Sequence, residues 1–114
     1  MTFYSLPIAT RTVTVKRITD TNATTILSAD NGNIEIGLIH IANVDGAASV
    51  AVTVDLYDGT TATKLTDAYA LAQKTFIDLE GTVLLNGWSL RITSGDADGQ
   101  LHVVVQHTAA APRG

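Results

Sequence analysis

The groups in this 114-residue chain that could do chemistry are eleven carboxylates, three histidines and a scatter of serines; cysteine is absent. Without cysteine there is no disulfide, no thiol nucleophile and no thiolate metal ligand. His40 alternates with Ile39 and Ile41 and reads as a strand histidine. His102 and His107 have opposite parity in an extended segment, so they face opposite sides. No histidine pair has zinc-ligand spacing. Ser5, Ser28, Ser49, Ser89 and Ser94 lack the sequence context of an activated nucleophile. Asp96 and Asp98 in GDADG offer two carboxylates, but a calcium loop needs further oxygen ligands and a distal Glu. A tight turn accounts for that segment better. The pairs Asp55 with Asp58 and Asp78 with Glu80 could suggest acid–base glycoside chemistry, yet no sequence feature sets the two members of either pair apart in acidity. The glycines occupy turns, and no phosphate-cradling GxxxxGK[ST] run occurs. The sequence predicts no catalytic, cofactor-binding or metal residue, and no enzyme.

Composition narrows the remaining classes. Hydrophobic residues make up 46% and charged residues 16%, too apolar for a disordered chain. No stretch approaches the ~18 uncharged apolar residues of a membrane span, and Met1–Thr10 lacks the pattern of a signal peptide. The net charge of −4 argues against nucleic acid as a partner. The charge is unevenly placed. Arg11, Lys16 and Arg17 precede every acid, and all eleven acids fall between Asp20 and Asp98. A basic leading segment on an acidic body suits contact between copies or with an acidic neighbour. Aromatic residues are only 5%; Tyr57 and Tyr69 make a poor stacking platform for a sugar, and Trp88 starts an apolar strand face.

The elements that must position these residues are strands. Period-two alternation marks Thr10–Ile18, with Val13 and Val15 on one face and Thr12, Thr14 and Lys16 on the other. It continues in Thr24–Ser28, Ile34–Val44, Ser49–Tyr57, Thr75–Leu79, Trp88–Thr93 and Gln100–His107. In Ser49–Tyr57 the residues Val50, Val52, Val54 and Leu56 point inward and Ala51, Thr53, Asp55 and Tyr57 outward. Turn chemistry separates the strands at Asp30-Asn31-Gly32-Asn33, Asp45-Gly46, Asp58-Gly59, Glu80-Gly81, Asn86-Gly87 and Gly95–Gly99. Seventeen threonines suit pleated, half-solvated faces. Asp67–Lys74 is a helix candidate or an extended crossover between sheets. The pattern predicts an all-β chain: a single antiparallel β-sandwich, jelly-roll or Ig-like, of about 7–8 strands. Residues 1–18 form a basic arm or first strand, 19–107 the sandwich and 108–114 a tail. Ile34, Ile36 and Leu38 share one parity and Ile39 and Ile41 the other, as Val103–Val105 also occupy both. Such strands are doubly covered or present an apolar face to another subunit.

Two segments, Ala23–Gly59 (ATTILSADNGNIEIGLIHIANVDGAASVAVTVDLYDG) and Gly81–Gln106 (GTVLLNGWSLRITSGDADGQLHVVVQ), resemble small β-sandwich proteins of tailed-bacteriophage structural modules. The shared features are strand and turn signatures, so no functional residue carries over. The resemblance implies a structural virion protein, foremost a capsid decoration (cement) protein, made in the host bacterial cytoplasm. It would be a homo-oligomer, a trimer by preference, contacting the major capsid protein; a neck or tail component is the alternative within the virion. A carbohydrate-binding module is the alternative outside it. A decoration protein stabilises a shell because it binds the assembled lattice and not the free subunit. The expected contact residues are Phe3 and Tyr4 as anchors, Arg11, Lys16 and Arg17, and the loop tips at Asn31 and Asp58.

Overall fold

The computed structural model describes residues 11–44, 48–95 and 100–109. Eight strands form: β1 (Thr12–Ile18), β2 (Thr24–Ser28), β3 (Ile34–Asn43), β4 (Val50–Tyr57), β5 (Ala62–Leu71), β6 (Phe76–Leu84), β7 (Ser89–Ser94) and β8 (Leu101–Ala109). They make two four-stranded antiparallel sheets, ordered β1-β8-β3-β6 and β2-β7-β4-β5. We call these the first and second sheets.

The topology follows from one long folded ribbon. β4 pairs β5, β3 pairs β6, β2 pairs β7 and β1 pairs β8. The innermost partners Tyr57 and Ala62 and the outermost Thr12 and His107 are both centred on the Gly59–Thr60 turn. Rolling that ribbon joins β3 to β8 and β4 to β7 and closes the two sheets face to face. The result is a jelly roll, so of the two sandwich types expected from the sequence the strand order selects the first.

The core lies between the sheets. Ile18, Ile39, Ile41, Leu84, Leu101, Val103 and Val105 come from the first sheet; Ile26, Val50, Val52, Val54, Leu56, Leu71, Leu90 and Ile92 come from the second, and all are buried. Each such side chain contributes about 1.5–3 kcal/mol of transfer free energy. β4 alternates as the sequence predicts.

Three local readings change. Asp67–Leu71 is the second half of strand β5, and Ala72–Thr75 turns the chain into the first sheet. An isolated eight-residue helix is marginal, whereas the edge of β4 supplies a ladder. Where the ladder is interrupted, hydroxyls complete it: the Val54 amide donates to Thr66 Oγ1, that hydroxyl donates to the Val52 carbonyl, and the Ala68 amide donates to Thr53 Oγ1. Second, Glu80-Gly81 is not a turn. β6 runs through Gly81, which adopts φ +59° and bends the strand without ending it. Third, the apolar residues on both parities of β3 are partly a register effect. A bulge at Gly37 shifts the β3–β8 pairing between Ile36 and Leu38. Ile36, Ile39 and Ile41 therefore all point inward, and Leu38 alone of these faces out, half-buried.

Asn43, fully buried at the end of β3, binds the crossover. Its Nδ2 donates to the carbonyls of Ala48 and Leu71, each at 3.0 Å, and its backbone bonds Thr75 and Lys74. A buried amide satisfied in this way fixes the path by which the chain leaves one sheet for the other.

Candidate functional site

The outer face of the second sheet is a finished polar surface. Asp55 and Arg91 are directly opposite on β4 and β7. Arg91 Nε donates to Asp55 Oδ1 at 2.8 Å, with the Asp55 side chain only 5% exposed. The guanidinium lies 3.8 Å from the centre of the Tyr57 ring, and the Tyr57 hydroxyl donates to the Gly59 carbonyl. The arginine stacks and pairs at once, as its planar fork allows. Asp55 points outward as the alternation predicts but is covered by its partner. Tyr57 is occupied by Arg91, which leaves Tyr69 as the exposed tyrosine of the two considered for sugar stacking. Trp88 packs against the core.

The first sheet differs. Its outer face carries Val13, Val15 and Arg17 on β1, His102, Val104 and Gln106 on β8, Leu38, His40 and Ala42 on β3, and Phe76, Asp78, Glu80 and Val83 on β6, as the registers require. β1 therefore turns its valines to the outside: Val13 is 52% and Val15 62% exposed. At the opposite edge Phe76 is 59% and Val83 44% exposed. His40 Nδ1 lies 2.6 Å from Asp78 Oδ1, and its ring is tilted against Phe76 at 4.9 Å. Beneath β6, between the two sheets, runs an open groove of about 450 Å³. Ile39, Leu65 and Leu79 line it apolarly, and Asp78 and Glu80 stand on its rim.

The predicted contact residues divide into separate groups. Phe3 and Tyr4 lie outside the described residues, as do the Asp45-Gly46 turn, the Asp96 and Asp98 carboxylates and the 110–114 tail. Arg11 immediately precedes β1. Lys16 and Arg17 are exposed on β1 opposite Val103 and His102, toward the end at which β8 begins. Asn31 and Asp58 sit in loops at the other end of the sandwich, the end from which β1 starts. The Asn31 loop is clamped to the β6–β7 turn: the Gly32 amide donates to Asn86 Oδ1 and the Asn86 amide to Asn33 Oδ1. Asp58 caps its own turn through the Thr60 and Thr61 amides, which hold its carboxyl below the usual carboxylate range. Phe76, Asp78, Glu80 and Val83 form an edge surface that the sequence analysis does not single out, because Glu80-Gly81 has the signature of a strand end; the alternation of Ile77 and Leu79 with Asp78 and Glu80 is the available signal.

His107 bonds Thr14 across β8 and β1 at 2.9 Å, and partial burial pushes its pKa below the usual imidazole value. His102 faces the opposite side, as its parity predicts. Among the described residues no three His, Asp or Glu side chains gather as a metal site would need, and no helix is long and apolar enough to cross a membrane.

No protein-family model matches the sequence, and no curated protein matches it. Solved structures do. A chain of the acid-stable capsid structure of Helicobacter pylori bacteriophage KHP30 is similar over 90% of both chains, with a TM-score of 0.63 and 11% identity. Two crystal structures of a pentameric capsid protein isolated from metagenomic phage sequences match 92% of this chain with TM-scores of 0.55, at 14% and 15% identity. This chain spans 65% of the length of those pentameric proteins. At such identities the likeness is one of fold: the chain has a β-sandwich fold that is also found in phage capsid structures.

Proposed function

We propose that the protein is a structural component of a phage virion that acts through assembly and not through catalysis. The observation that carries this reading is the likeness to a chain of the KHP30 capsid structure along nine-tenths of both chains. The exposed apolar residues on both edges of the first sheet support it, because they leave a surface to be covered. The finer reading is a capsid decoration protein, a homo-oligomer bound to the major capsid protein and stabilising the shell by linkage. The pentameric relative supports a closed ring as readily as the trimer first expected. A decisive experiment compares particles with and without the protein. Particles that lack it should lose their genome at a lower temperature, and the purified protein added back should restore the original temperature. Unchanged heat resistance would overturn the decoration role, and localisation of the protein to the neck or tail would replace it with that alternative.

A further inference from the structure

We infer that copies of this chain join head to tail, the β1 edge of one against the β6 edge of the next, so that the first sheet runs on across the subunit boundary. This deepens the self-association part of the reading above and rests on that part alone.

Among the described residues the two strands are the edges of one sheet, and each leaves a row of backbone groups that no described strand pairs. Their directions fit. All neighbours in the sheet are antiparallel, so with four strands β1 and β6 run oppositely, and a second copy set beside the first continues the antiparallel order. Their surfaces fit as well. Val13 and Val15 on one edge and Phe76 and Val83 on the other lie on the same outer face, so joining the edges brings these exposed apolar residues to one seam, with Asp78 and Glu80 between Phe76 and Val83. The β1 strand of the arriving copy would also cover the mouth of the groove lined by Leu65 and Leu79.

Charge selects this pairing over the others. β1 carries Lys16 and Arg17 and no acid, with Arg17 on the outer face that Asp78 and Glu80 share and Lys16 on the other; β6 carries Asp78 and Glu80 and no base. A pair of two β1 edges would carry only basic residues and a pair of two β6 edges only acidic ones, so neither sets opposite charges across the seam. A two-fold contact through either edge therefore gains no ion pair, while the β1-to-β6 contact brings the two signs to one seam. Contacts of this head-to-tail type close into rings when the rotation per subunit permits.

The test is mass in solution by sedimentation and light scattering on the full chain. The unaltered protein should exceed its 12.0 kDa monomer mass. It should dissociate as salt rises to about 1 M, where the screening length shrinks to about 3 Å. Lys16→Glu with Arg17→Glu should give a monomer, as should Asp78→Lys with Glu80→Lys. Mixing the two variants should restore a complex, and so should combining all four substitutions in one chain. The mixture carries the test if the fourfold variant fails to fold, which its circular dichroism would reveal. A monomeric unaltered protein overturns the inference; if that monomer still binds particles, the edges are covered by another virion protein and the virion reading stands. Double variants that keep the original mass, or a mixture that stays monomeric, overturn it equally.

Discussion

The two outer faces of the sandwich are made by the same period-two rule and end in opposite states. On the second sheet, Asp55, Arg91 and Tyr57 use one another's hydrogen bonds and ring faces, so the polar residues that alternation sends outward are satisfied within the chain. On the first sheet, alternation sends Val13, Val15 and Phe76 outward, and over half of each remains exposed. A strand pattern thus specifies which residues share a face, and the neighbours available decide whether that face is complete in one molecule.

The comparison can be broken most strongly at Arg91. Arg91→Ala leaves Asp55 buried and unpaired, and should cost about 3 kcal/mol of unfolding free energy in urea titration. The double variant with Asp55→Ala should cost less than the two singles together. A loss within about 0.5 kcal/mol for Arg91→Ala would show that the second sheet's face is no more locked than the first's. Next in size is Gly81→Val on the β6 edge. Nothing crowds a Cβ there, so the expected loss of about 1–2 kcal/mol is backbone strain at φ +59°, measured by thermal unfolding.

Smaller effects are read from the pH dependence of stability. His107 has a lowered pKa in the folded protein, so the unfolded chain binds its proton more readily. Its contribution is complete above the ordinary histidine value of about 6.5 and declines as pH falls through that value toward the folded one. His107→Gln should flatten that part of the stability profile. Asp58 behaves likewise at lower pH: its turn-capping contribution is present above the ordinary carboxylate value of 3.8 and is lost in stronger acid, so Asp58→Ala should destabilise at neutral pH and lose that effect in strong acid, as urea titration at the two pH values would show. The smallest change in monomer stability belongs to Val15→Ser, within about 0.5 kcal/mol, because the side chain is already in water. If chemical denaturation shows a loss of several times that, Val15 is buried by a contact within the chain and the contrast between the faces fails.

Much of the fold was legible in the residues themselves. The alternation of Val50–Tyr57 and Leu101–Gln106 marks strands because buried and open faces demand different side chains, and Asn31-Gly32 and Asn86-Gly87 mark turns because Gly32 and Gly87 adopt positive φ. What escaped depends on partners distant in sequence. No local pattern says that Val13 and Val15 face away from the core; β8 decides it, by pairing Thr14 with Val105 and Ile18 with Leu101. Asp67–Lys74 has helix-forming residues, and the free edge of β4 overrides them. Of the candidate contact surface, the basic half at Lys16 and Arg17 stood out through charge asymmetry. The acidic half at Asp78 and Glu80 did not, because a glycine at φ +59° inside a strand has the same sequence signature as one that ends it.

The nested ribbon also sets a timetable. β4 and β5 meet across a turn of four residues, Asp58–Thr61, whereas Thr14 and His107 are 93 positions apart. Contacts of such separation make folding slow. On the ribosome β1 is made before the other seven described strands, yet among the described residues it pairs in the sheet with β8, which is made after them. The outer edge of β1 therefore becomes an ordered surface only after β8 has been made, and a nascent chain that stops short of β8 has no such edge to offer a neighbour.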